Sequence, residues 1–324
     1  MLTEVMENYG LVKEFRQSGY YETVEQQQLF KDIIAAISKG QLVVLSGIVG
    51  CGKTVTLRQL REVLEAEGKI LVSKSLSVDK NRSTPATLVS ALFYDLSAEK
   101  NIKIPSQGEK RERELRNLIK KGKKPVALFV DEAHDLHSNT LIRLKRLIEV
   151  VEDGGGTLSV VLAGHPKLKN DLRRSTMEEI GYRATVFSLD NLIGNQRDYI
   201  EWLLNACIAE GTPIYDLLEV AAIDLLATRL KTPLQIEQHL KLALEEAYHV
   251  GEKPVTAAIV ESILFKDINE LEPTLTRHGY NAKGLAEQFN TKPADIRSLF
   301  RGELDPVRTR ELQSQMLAAG LPLY

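Results

Sequence analysis

Eight residues, Gly47-Ile48-Val49-Gly50-Cys51-Gly52-Lys53-Thr54, stand between a strand-like run, Leu42 to Ser46, and a helical pattern that begins at Val55 and continues to Ala66. A glycine, any four residues and then Gly-Lys-Thr, set between a strand and a helix, is the spacing of a phosphate-binding loop. The chemistry explains the residue types. Glycines let successive backbone N–H groups turn inward around a phosphate, and the helix N-terminus adds favourable partial charge. Lys53 reaches the terminal phosphates, and the Thr54 hydroxyl is a magnesium ligand. The expected ligand is ATP with Mg2+, held by Gly47, Val49, Gly50, Cys51, Gly52, Lys53, Thr54 and Val55. Such a loop constrains the fold, because it needs a buried strand before it and a helix after it.

The apolar pattern extends this to an α/β domain. β-rich runs at Leu42 to Ser46, Ile70 to Leu76, Val126 to Val130, Thr157 to Ala163 and Ala184 to Leu189 alternate with helical patterns, the signature of a parallel sheet with helices on both faces. After about residue 190 the strands stop. Tyr199, Trp202, Leu203, then Leu225, Leu226, Leu230, then Ile236, Leu240, Ala243, Leu244 recur at helical spacing. The expected division is an α/β nucleotide-binding domain over 1–190, a small helical lid over 191–268 and a C-terminal helical domain over 269–324. Glu272-Pro273 reads as punctuation ahead of this last part. Within it, Leu285-Ala286, Phe289, the turn Asn290-Thr291-Lys292-Pro293, Ile296, Leu299 and Phe300 are similar to a helix-turn-helix, suited to DNA or to a partner protein.

A second half of the site lies at the end of the run Val126 to Val130, where Asp131 and Glu132 are adjacent carboxylates. Asp131 is expected to hold magnesium, and Glu132 to orient and polarise the attacking water. Asp131-Glu132-Ala133-His134 also spells the box of one helicase superfamily. A helicase of that kind needs a second strand-rich domain, which the residues after 190 do not provide. His134 and His137 read as exposed residues of a first helical turn rather than as metal ligands. The run Thr157 to Ala163 ends in Gly164-His165-Pro166, and ATPases of this build place a polar sensor there, which makes His165 a candidate catalytic residue.

With 43% hydrophobic and 27% charged residues in 324, the chain can bury full cores. It has no apolar run of the roughly 18 residues that span a bilayer. Its first residues lack the pattern of a secretory signal, and its two cysteines form no disulfide framework, so a cytoplasmic location without membrane attachment is expected. A net charge of -2 gives no global attraction to nucleic acid, so any such binding must come from local patches.

Taken together, the residues resemble the AAA+ superfamily, and more closely its branch of ExeA-type ATPases and the transposition regulators TniB, TnsC and MuB. The resemblance covers roughly residues 10–265. It rests on Gly47 to Thr54, Leu128 to His134, Val161 to Leu168 and Ile180 to Leu192. It implies an ATP-dependent homo-oligomer, a ring or a helical filament, that marks target DNA and recruits or stimulates a transposase, with a target-selection protein as a further partner. It also implies that Arg183, just before the fifth strand, reaches the ATP of a neighbouring subunit, with Arg173 and Arg174 as rivals. The loops that face duplex DNA in relatives correspond to a segment with Lys80 and Arg82 and to one ending at Lys103. The sensor arginine of the helical lid is replaced here by Leu234, within Lys231-Thr232-Pro233-Leu234. That departure implies slow hydrolysis. Two other readings remain open: an ExeA-type secretion-associated ATPase, whose usual transmembrane segment and envelope-facing domain are not expected here, and a nucleotide-gated adaptor without turnover.

Overall fold

The computed structural model describes residues 1–74, 84–97, 103–174, 177–190, 193–264 and 269–323. Five strands, β1 (Leu42–Ser46), β2 (Leu71–Lys74), β3 (Val126–Val130), β4 (Leu158–Gly164) and β5 (Ala184–Ser188), form one sheet in the order β2-β3-β4-β1-β5. Every pairing is parallel, with Leu42 opposite both Val160 and Ala184, and Val126 opposite Leu158. All residues of β1, β3 and β4 are buried. A parallel sheet needs this, because its crossover helices cover both faces.

The two-residue alternation along the strands sorts side chains between two cores. On one face Val43, Leu45, Phe129 and Val161 meet Ile33, Ile37, Leu60 and Leu64. These come from α2 (Val24–Ser38) and α3 (Lys53–Glu67). On the other face Val44, Leu128, Val160 and Leu162 meet Leu92, Leu115, Leu144 and Leu147. Those belong to α4 (Pro85–Leu96), α5 (Gly108–Gly122) and α6 (Ser138–Asp153). Helix α2 starts where the sequence offers Thr23 and Gln26 as a reciprocal capping box. Helix α3 begins at Lys53, two residues earlier than its apolar pattern, because Thr56 N–H already donates to the Gly52 carbonyl at 2.8 Å.

Short helices α7 (Pro166–Leu172) and α8 (Glu178–Gly181) link β4 to β5. A bundle follows, built of α9 (Gln196–Cys207), α10 (Val220–Arg229), α11 (Pro233–Val250) and α12 (Ala257–Ile263). Its core includes Leu203, Ile223, Leu226, Leu240, Leu244 and Val260, and also Val5, Tyr9 and Phe15 from the amino-terminal segment. That segment's first helix, Thr3–Tyr9, therefore packs with the bundle rather than with the sheet, and the Tyr9 hydroxyl donates to the Glu252 carbonyl at 2.9 Å.

The last unit comprises α13 (Leu271–Arg277), α14 (Ala282–Gln288), α15 (Pro293–Phe300) and α16 (Pro306–Ala318) around Leu275, Leu285, Ile296, Leu312 and Met316. Pro273 does not punctuate the chain here. It sits in the first turn of α13, where a missing N–H costs nothing because that group has no partner within the helix. Asn290, at φ 48°, turns the chain between α14 and α15. Among the described residues no helix is long and apolar enough to cross a membrane.

The sheet core makes a direct prediction. Leu128 is fully buried in a central strand, so Leu128→Ala is expected to cost about 2–5 kcal/mol in urea unfolding.

Candidate nucleotide site

Because β1, β3 and β4 are parallel neighbours, their polar C-terminal ends converge on one edge of the sheet, the edge where open α/β folds bind ligands. The loop after β1 is anchored at that edge. Gly47 N–H donates to the Gly164 carbonyl at 3.1 Å, and Ile48 N–H donates to Asp190 Oδ1 at 3.1 Å. Gly50, at φ 82°, adopts a backbone conformation that side chains rarely take, and a Cβ there would lie 2.8 Å from Leu234 Cβ. The loop tip thus meets the start of α11 with no room for a side chain.

Lys53 is buried, with 6% of its surface exposed. Its ammonium donates to the carbonyls of Gly47 at 2.9 Å and Ile48 at 3.0 Å, and lies 3.5 Å from His165 Nδ1. The Thr54 hydroxyl donates to Asp131 Oδ2 at 2.7 Å. Asp131 Oδ1 accepts the Glu132 N–H at 2.8 Å. Glu132 itself has φ 53°, an unusual backbone state for a residue with a side chain and one that tends to occur at functional sites. Its carboxylate is 3.5 Å from His134 Nε2. The rings of His134 and His165 have centroids 3.8 Å apart. Lys53, Thr54, Asp131, Glu132 and His165 thus form one cluster.

His134 and His137 differ from their sequence reading. A single 3₁₀ turn, Ala133–Asp135, carries His134, and the extended Leu136 separates it from His137 at the cap of α6. The two are not on one helical face. Nor is His134 exposed, since its side chain retains 14% of its surface against His165.

Other predicted residues lie apart from this cluster. Arg183 stands just before β5 and therefore at the opposite edge of the sheet from the loop of its own chain, paired with Glu149 and with its side chain 61% exposed. Arg174 pairs with Asp171 at 2.8 Å and donates to Gln288 at 3.2 Å. Lys103 is exposed ahead of α5. Lys80 and Arg82 lie outside the described residues. Leu234 packs on the loop, its N–H donating to the Gly50 carbonyl at 3.3 Å.

Sequence reasoning missed an aromatic cavity of about 260 Å3 beside the loop, bounded by Gly52, Thr56, Tyr20, Tyr21, Tyr199 and Trp202. Tyr21 lies 4.9 Å from Trp202 and 5.3 Å from Tyr199, centroid to centroid. Burial pushes the Tyr20 phenol up to about 12, and burial also raises Tyr199. Glu237, at the same cavity, accepts from the Tyr199 hydroxyl at 3.3 Å, and burial raises its carboxyl above the ordinary value. The adjacent tyrosines ahead of the Thr23 cap were the available signal. Asp190, which caps the Ile48 amide, was also missed, because it is separated from the loop by 142 positions.

Comparison with known proteins agrees with the geometry. Residues 36–172 match the family described as AAA domain. A segment of 149 residues is 32% identical to general secretion pathway protein A of Aeromonas hydrophila, covering 45% of this chain and 26% of that protein. The chain thus spans about a quarter of that relative's length. Among solved structures, Drosophila ORC bound to DNA is similar with a TM-score of 0.53 at 14% identity, over 97% of this chain and 83% of that one. Cdc6p from Pyrobaculum aerophilum matches over 99% of this chain and 90% of that chain, with a TM-score of 0.49 and 18% identity. The five-stranded parallel sheet flanked by helices is a fold shared with that ORC structure.

Burial of the two cysteines predicts a pH effect. Desolvation lifts both thiols from 9.0 to about 11. The folded chain keeps protons that the unfolded chain releases above pH 9, so stability falls as pH rises from about 9 to 11. Urea midpoints measured at pH 8 and pH 10.5 are expected to show the drop, and Cys207→Ala is expected to reduce it.

Proposed function

We propose that this chain is an ATPase whose ATP-bound form assembles as a ring or helical filament on duplex DNA and there recruits or stimulates a transposase. The observation that carries the nucleotide part is the approach of Thr54 Oγ1 to Asp131 Oδ2, at 2.7 Å, directly beside Lys53 and Glu132. Two hard oxygen donors fit magnesium. Thr54 and Asp131 are the residues that would hold it, and bound there the ion neutralises charge on the phosphates. The loop amides cradle the phosphates, and Lys53 exchanges its carbonyl partners for phosphate oxygens. Glu132 orients a water towards the γ-phosphorus. The new P–O bond forms as the bond to the ADP oxygen breaks, and ADP and phosphate leave. His165, 3.5 Å from Lys53 with its ring tilted against that of His134, is proposed to register the γ-phosphoryl group. The aromatic cavity takes the adenine base.

Position supports a role in trans for Arg183. Standing at the far edge of its own sheet, it reaches phosphate only from another copy, where a guanidinium stabilises charge on the transferred group. Leu234 puts an apolar side chain where a cation would speed turnover, which favours slow hydrolysis and a long-lived assembled state. DNA binding is supported by the family resemblance and by a fold shared with ORC, whose structure is bound to DNA. Lys80, Arg82 and Lys103 are proposed to contact phosphates without reading sequence, so affinity should fall steeply with salt. A target-selection protein is a further proposed partner, and the cytoplasm the proposed location.

A second reading, a secretion-associated ATPase of the ExeA type, is favoured by the segment 32% identical to general secretion pathway protein A. Sedimentation with duplex DNA separates the two. The proposal expects the protein to pellet with DNA when a slowly hydrolysed ATP analogue is present, and Lys53→Ala to abolish this. Nucleotide-loaded protein that stays monomeric with DNA present overturns it. Glu132→Gln is expected to lower phosphate release at least about a hundredfold. Unchanged release would instead mark a nucleotide-gated adaptor. Arg183→Ala is expected to leave ATP binding intact while lowering turnover of the assembled form by about a thousandfold.

A further inference from the structure

Along the chain His134 has His137 as its neighbouring imidazole, but the 3₁₀ turn and the extended Leu136 part the two. The sheet supplies a different one. Strand β4 ends at Gly164, beside the end of β3, and delivers His165 to the place where β3 delivers Glu132 and His134. Among the described residues, Glu132, His134 and His165 each offer one ligand atom, a carboxylate oxygen or a ring nitrogen. These three atoms all lie within 4.8 Å of one another.

Spacing decides what such a group can hold. A tetrahedral zinc ion with bonds of about 2.0–2.1 Å sets its ligand atoms about 3.4 Å apart. Glu132 and His134 Nε2 already stand 3.5 Å apart. The other pairs, within 4.8 Å, reach that spacing by small side-chain rotations. Glycines fix the segments behind both rings. A Cβ on Gly164 would lie 3.1 Å from the His134 nitrogen, and one on Gly279, at φ +90°, would lie 2.8 Å from His165 Cβ. The Glu132 side chain is 39% exposed, so an ion enters from the carboxylate side. Lys53, whose ammonium is 3.5 Å from His165 Nδ1, opposes a cation. Against it stand two carboxylates, since Asp135 lies 3.6 Å from His134 Nε2 on the side away from no other ligand than Glu132.

We propose that Glu132, His134 and His165 form an inhibitory site for a divalent transition ion of the zinc class, with a fourth position open to solvent. Two imidazole nitrogens and one carboxylate suit zinc, nickel or copper, whereas magnesium prefers oxygen donors throughout. The site is therefore chemically distinct from the Thr54 and Asp131 pair. Bound there, the ion takes the carboxylate that would otherwise orient water, and hydrolysis stops while the phosphate loop is left untouched. That consequence rests on the nucleotide reading above; the binding of the ion does not.

Calorimetric titration of the full chain with Zn2+, without nucleotide, tests the site in wild type, His134→Ala and His137→Ala. Wild type is expected to bind one ion per chain. His134→Ala is expected to weaken binding at least about tenfold, since disturbing even the supporting partner of a metal ligand costs that much, and His137→Ala to stay near wild type. The visible spectrum of wild type loaded with Co2+ needs no variant, and is expected to show the intense bands of a four-coordinate ion. Wild type that binds no zinc overturns the proposal, as does a cobalt spectrum like that of the ion in water. So does a loss in His137→Ala as large as in His134→Ala, or binding unaltered in His134→Ala. In phosphate release with excess Mg2+, zinc is expected to inhibit wild type at least about tenfold more than His134→Ala. Zinc that binds without inhibiting overturns the inhibitory role. Wild type that releases no phosphate even without zinc overturns the hydrolysis reading, and a zinc site seen by calorimetry and cobalt would still stand.

Discussion

The hydrogen bond from Thr54 Oγ1 to Asp131 Oδ2 joins residues 77 positions apart, and nothing local to either one explains it. It exists because β1 and β3 flank β4 in a parallel register that brings all three strand ends to one edge. The apolar pattern of the strands is what sets that register, since slipping by one residue would exchange the two cores. Burial of Val44, Leu128 and Leu162 on one face and of Val43, Phe129 and Val161 on the other thus positions the chemistry. The hydrophobic effect supplies the placement, and the polar groups at the edge use it.

Around that edge the chain closes from two sides. The bundle brings Leu234 onto Gly50, and the C-terminal unit brings the Arg277 carbonyl onto Val49. Each contact uses a backbone group of the phosphate loop, so each unit senses the loop's conformation directly. A ligand that reorganises the loop amides must shift both contacts, and by linkage both contacts must influence the ligand. Under the proposed nucleotide reading, this gives the chain a route from nucleotide state to its outer surfaces without a long pathway.

How much of this was legible in the sequence depended on the range of the signal. The loop is eight consecutive residues with a mechanism attached, and Asp131-Glu132 follows a continuous apolar run, so both were readable. The five strands were readable from alternation and β-branching, and the last two positions expected for the second, 75 and 76, lie outside the described residues. What escaped was non-local or conformational. The packing of Tyr9 and Phe15 into the bundle depends on partners about 200 positions away and has no periodic signature in the segment that carries it. Glu132 at φ 53° and the 3₁₀ turn after it broke the helical spacing assumed for His134 and His137. Pro273 was read as a break because proline ends helices internally, whereas a first-turn position accommodates it.

The central claim is that the cavity between the phosphate loop and the aromatic residues of the amino-terminal segment and α9 receives the base of ATP. Trp202 is the single tryptophan of the chain and borders that cavity, so its emission reports on the site without any label. Titration of the full chain with Mg·ATP, followed by Trp202 fluorescence, is predicted to give a saturable change that ends at one nucleotide per chain. Emission that stays constant up to millimolar ATP would contradict the account.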